Sequence, residues 1–102
     1  MSDKTLEKII EKILEVIIPD KIILFGSRAR GEACSDSDYD ILIIKDGIEN
    51  ERQISKRLYV QFVGINESID IIVKTPNSIE KSKKIPSSCI NTAIKEGVVV
   101  YG

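Results

Sequence analysis

Histidine and tryptophan are absent from this 102-residue chain, cysteine occurs twice, proline three times, and aromatic residues make up only 5%. The missing histidine excludes Ser-His-Asp and Cys-His catalysis, imidazole acid/base work and ordinary zinc sites, because their bases or ligands do not exist here. The cysteines, Cys34 and Cys89, form no C-x-x-C pair and read as two reduced, packed thiols in preference to a disulfide. No apolar run exceeds four residues, whereas a membrane span needs about 20. The opening Met-Ser-Asp-Lys-Thr has no signal-peptide pattern, so a cytoplasmic location without membrane association is expected. Neither charge sign dominates: 15 Lys+Arg face 16 Asp+Glu for a net charge of −1, which argues against broad nucleic-acid binding.

What remains is enough for one domain over residues 1–102, burying on the order of 65% of its unfolded surface. Its chemistry must run on carboxylates, hydroxyls, Arg/Lys and a hard metal ion. Leu6, Ile9, Ile10, Ile13, Leu14, Ile17 and Ile18 recur at helical spacing among Glu and Lys, predicting an amphipathic helix capped by Ser2 or Asp3 and ended by Pro19. Lys21 to Phe25 and Ile41 to Ile44 read as short buried strands. A second helix is expected between about Glu49 and Val63, where Ile54, Leu58 and Phe62 fall four apart. Ser68 to Val73 is a third strand, Pro76 opens a helix to about Lys84, Pro86 opens another to Glu96, and Val98 to Tyr101 is a terminal edge strand. The fold class is α/β in the α+β sense.

The informative stretch is Gly26-Ser27-Arg28-Ala29-Arg30-Gly31 followed by Ser37-Asp38-Tyr39-Asp40. A Walker loop fails because Glu32 and Ala33, not Lys and Ser/Thr, follow Gly31, and no G-x-G-x-x-G is present. An EF-hand starting at Asp36 fails because Ile41 and Gly47 stand where Gly and Glu are needed. The pattern that survives is a strand ending in Gly-Ser, then a strand opening with Asp-x-Asp. Alternation puts Asp38 and Asp40 on one face, about 7 Å apart at Cα, with Tyr39 turned into the core. Paired carboxylates repel, a divalent cation removes that repulsion, and an all-oxygen set selects Mg²⁺ or Mn²⁺. Gly26 allows close backbone approach and Ser27 offers a hydroxyl and free N–H groups for a phosphate, with Arg28 and Arg30 adding positive charge or pairing with Glu32 or Asp36. For phosphate and metal to meet, the first two strands must be antiparallel. Asp70, the polar residue in the run Ile69 to Val73, then joins the same edge if the third strand is parallel to the second. Read alone, Asp70 is a strand-start residue facing water.

These residues resemble the minimal nucleotidyltransferase (MNT) family of the nucleotidyltransferase superfamily, the antitoxin partners of HEPN toxins. The resemblance lies in Gly26-Ser27, ten intervening residues and Asp38-Tyr39-Asp40, supported by Ala29-Arg30-Gly31, Ile69-Asp70-Ile71-Ile72-Val73 and Glu96-Gly97-Val98-Val99-Val100-Tyr101. It implies a small mixed sheet flanked by helices, two Mg²⁺ ions with Mn²⁺ as substitute, ATP as substrate, and transfer of AMP to a tyrosine of a cognate HEPN ribonuclease. By position it makes Asp38, Asp40 and Asp70 the catalytic metal ligands, with Asp70 a candidate base. Gly26 and Ser27, with Arg28 and Arg30 beside them, become the nucleotide-binding residues. Competing functions are a non-catalytic binding module that covers a toxin, and transfer to a small molecule or RNA end. The Glu49 to Val63 helix and the terminal strand are candidate surfaces for a homo- or hetero-oligomer; Tyr59 and Tyr101 carry no expected role.

Overall fold

The computed structural model describes residues 4–26, 39–82, 84 and 89–102. In chain order these form α1 (Lys4–Val16), β1 (Lys21–Phe25), β2 (Tyr39–Ile44), α2 (Glu51–Gln61), β3 (Ile69–Lys74), α3 (Pro76–Ser82), α4 (Cys89–Glu96) and β4 (Val98–Tyr101). The strands make one mixed sheet in the order β3-β2-β1-β4. β1 is antiparallel to both β2 and β4, and β2 is parallel to β3, the directions that the proposed convergence of phosphate and carboxylates requires.

The period-two alternation of the strands sorts their side chains onto two faces. On one, Ile22, Leu24, Tyr39, Ile41, Ile43 and Val73 pack with Ile9 and Ile13 of α1 and Leu58 of α2, with Phe62 just beyond the end of α2. On the other, Ile23 and Leu42 meet Ala93 of α4, with Phe25, Ile44 and Ile72 against them. Tyr39 is therefore a core residue, as its place between two Asp residues predicts.

α1 stops at Val16, three residues before Pro19, with Ile17 N–H on Ile13 C=O at 3.0 Å. The residue preceding a proline is pushed out of the α region, so the helical stripe does not extend to Ile18, which is 68% exposed. The expected capping residues Ser2 and Asp3 lie outside the described residues. β2 begins at Tyr39, two residues earlier than its apolar run, because Tyr39 N–H bonds Ser68 C=O at 2.8 Å. Asn50 caps α2, its Oδ1 accepting from Gln53 N–H at 3.0 Å. α3 is described over Pro76–Ser82, with Lys83 of the expected helix outside the described residues, and α4 gives way to β4 through Gly97, whose N–H bonds Ala93 C=O at 2.8 Å. β4 is an edge strand, as expected. Val98 and Val99 on β4, Val60 on α2 and Val63 beyond it are exposed. Cys34 and the side chain of Cys89, and with them the reading of two reduced thiols, lie outside what is described. Among the described residues no helix is long and apolar enough to cross a membrane.

Candidate functional site

The C-terminal end of β1 and the N-terminal ends of β2 and β3 meet at one edge of the sheet. Phe25 pairs with Asp40 across the antiparallel ladder, and Asp40 pairs with Asp70 across the parallel one. In-register partners share a face, so the two carboxylates stand side by side on strands about 4.8 Å apart. They are on the face whose interior residues are Leu42 and Ile72. Asp40 is half-buried and Asp70 exposed.

Gly26 follows β1 directly with φ of +78°, a conformation that costs little only without a Cβ. Space imposes a second demand there. A Cβ built on Gly26 would overlap Asp40 Oδ2, so the Asp40 carboxylate lies over the glycine, the first residue of the Gly26-Ser27 motif. The sequence-predicted residues Gly26, Asp40 and Asp70 are thus brought together. Asp38, Ser27, Arg28 and Arg30 lie outside the described residues. Among the described residues no three metal-ligating side chains cluster; Asp40 and Asp70, two of the expected three, are ladder partners.

Like charges directly opposite on neighbouring strands destabilise a sheet, and a divalent cation between them reverses the sign of that interaction. The donors are oxygens only, which fits Mg²⁺ or Mn²⁺ and not a soft metal. A second acidic position, Glu51, lines a shallow groove beside β3 with Arg52, Ser55 and Lys74. Its carboxylate is already engaged, accepting from Thr75 N–H at 3.0 Å and lying 3.9 Å from Lys74 Nζ, so it serves structure. Tyr59, unmarked by any sequence pattern, accepts a hydrogen bond from Ile71 N–H at 3.1 Å. Only the helical spacing of Tyr59 to Phe62 hints that its ring has a fixed place.

The family model of the nucleotidyltransferase domain matches residues 4–99. The chain belongs to the nucleotidyltransferase domain family. It is 35% identical over 82 residues to a "Putative protein adenylyltransferase" of Methanocaldococcus jannaschii, a match covering 79% of this chain and 77% of that one. Two solved structures share the fold. A crystal structure of a toxin-antitoxin with AMP-PNP superposes with a TM-score of 0.62 at 20% identity, covering 94% of this chain and 72% of the other. A "putative nucleotidyltransferase" from Sulfolobus solfataricus gives 0.55 at 22%, covering 99% and 89%. The mixed sheet with flanking helices is the nucleotidyltransferase fold, and this nucleotidyltransferase is an enzyme of the class that its family resemblance implies.

Proposed function

We propose that this nucleotidyltransferase is a Mg²⁺-dependent protein adenylyltransferase that moves AMP from ATP to a tyrosine hydroxyl of a cognate HEPN ribonuclease and so acts as its antitoxin. The observation that carries the reading is the in-register pair Asp40 and Asp70 beside Gly26. It gives a nucleotidyltransferase fold an all-carboxylate edge at the phosphate turn. Support for a protein acceptor comes from the adenylyltransferase name of the archaeal relative, and for a toxin partner and an adenine nucleotide from the toxin-antitoxin neighbour with AMP-PNP.

Asp38, Asp40 and Asp70 hold the metal in this reading, while Gly26 and Ser27 receive the triphosphate through backbone N–H groups and a hydroxyl, with Arg28 and Arg30 beside it. Mg²⁺ held there would neutralise charge on the phosphates and on the departing pyrophosphate. The acceptor hydroxyl oxygen forms a bond to the α-phosphorus as the bond from that phosphorus to the β-phosphate bridging oxygen breaks, and the hydroxyl proton passes to Asp70. Asp70 is suited to this role because it is the exposed member of the pair, open to an incoming macromolecular acceptor. The residues thus position and neutralise, and in-line geometry does the rest.

The test is incubation of the purified chain with native lysate of its source, Mg²⁺ and ATP labelled on the α-phosphate, followed by identification of the labelled protein. A single protein labelled on tyrosine from α-labelled but not γ-labelled ATP is the expected result. A partner that co-purifies and is inhibited without acquiring label contradicts it in favour of a binding module. Label on RNA or a small molecule contradicts the protein acceptor.

A further inference from the structure

Among the described residues β3, which carries Asp70, is an edge strand, hydrogen-bonded to β2 and to no other strand. Ser68 C=O accepts from Tyr39 N–H at 2.8 Å and Lys74 C=O from Lys45 N–H at 3.0 Å. The even-numbered residues of this segment therefore direct their backbone groups at β2, and the amides of Ile71, Val73 and Thr75 point outward. Two of these outward amides are held by α2: Tyr59 Oη accepts from Ile71 N–H and Glu51 Oε2 from Thr75 N–H.

The two clamps differ in where they act. Ile71 N–H and Asp70 C=O belong to the same planar peptide unit, so the Tyr59 bond fixes the plane that follows the Asp70 Cα. The Glu51 bond fixes the far end of the strand, four residues away. Tyr59 is itself set by Phe62, whose ring it meets edge-on at 6.4 Å and 88°, and Phe62 is buried in the core. The chain of contacts runs from the core through Phe62 and Tyr59 to the backbone of the proposed metal ligand. Tyr59 remains 44% exposed, so its hydroxyl can be removed with little change in buried packing.

We infer that Tyr59 is a positioning residue, whose hydroxyl holds the Asp70 peptide so that the Asp70 carboxylate stays beside Asp40 for a shared divalent cation. This rests on the reading of Asp40 and Asp70 as metal ligands. Partners that orient ligands from outside the coordination sphere generally matter for metal affinity, and here the influence passes through one backbone hydrogen bond.

The experiment compares wild type, Tyr59→Phe and Glu51→Ala by Mn²⁺ titration followed by electron paramagnetic resonance, with a non-hydrolysable ATP analogue present, alongside amide hydrogen exchange. In Tyr59→Phe the Ile71 amide exchanges faster and Mn²⁺ binds about 3- to 10-fold more weakly. In Glu51→Ala the Thr75 amide exchanges faster and Mn²⁺ affinity is unchanged. Wild-type Mn²⁺ affinity in Tyr59→Phe, or equal weakening in both variants, overturns the inference, the latter because it reduces Tyr59 to general support of the strand. Wild-type protein that binds no Mn²⁺ overturns the metal-site reading itself, and the inference with it.

Discussion

The carboxylate of Asp40 occupies the space that a side chain at Gly26 would need. This relationship ties the residue that directly follows β1 to the first carboxylate described on β2. It also separates two effects of substitution, since Gly26 and Gly47 share nearly the same positive φ, +78° and +81°, but nothing lies within 4 Å of a Cβ on Gly47.

Gly26→Ala and Gly47→Ala should therefore both lose stability by roughly 1–2 kcal/mol from the left-handed conformation, while only Gly26→Ala displaces Asp40. We expect AMP transfer to fall on the order of tenfold or more in Gly26→Ala and to stay near wild type in Gly47→Ala. Thermal melting and initial rates on the two variants check both halves.

Chelation should stop transfer without unfolding the chain. The core clusters are apolar and none of their members is a proposed metal ligand, so metal-free protein without nucleotide should still melt cooperatively, at a temperature lowered only by the unrelieved Asp40–Asp70 repulsion. Readdition of Mg²⁺ or Mn²⁺ should restore transfer, as expected for oxygen ligands. Loss of cooperative melting on chelation would assign the metal a structural role.

Leu58 joins α2 to the sheet with no exposed surface. Leu58→Ala should cost about 2–5 kcal/mol, the transfer term plus the cavity term. Val63→Ala, at a position 82% exposed, should stay within about 0.5 kcal/mol of wild type. Denaturant unfolding distinguishes them.

Much of the architecture is legible in the residues because each strand is a short β-branched run and each helix carries a periodic stripe. Lys21–Phe25 and Val98–Tyr101 have the bounds their patterns predict. Helix ends are less legible: the stripe of α1 continues through Ile17 and Ile18 while Pro19 halts the helix from a distance. At the site, period-two alternation foretells that Tyr39 is buried and Asp40 is on the other face. The strand directions that bring Gly26, Asp40 and Asp70 together are required by the chemical reading, and the ladder registers supply them. Tyr59 and Glu51 were not legible, because a helix side chain that bonds an edge-strand amide leaves no periodic trace and depends on tertiary placement alone.

The proposed sharing of one metal by Asp40 and Asp70 is what AMP transfer depends on. Its most direct test is the Mg²⁺-dependent transfer of α-labelled AMP from ATP to the isolated partner protein by wild type, Asp40→Asn and Asp70→Asn, with melting curves on all three. Each variant is expected to remain folded and to lose transfer by on the order of 100-fold or more. A folded Asp40→Asn or Asp70→Asn that transfers AMP at the wild-type rate would contradict it.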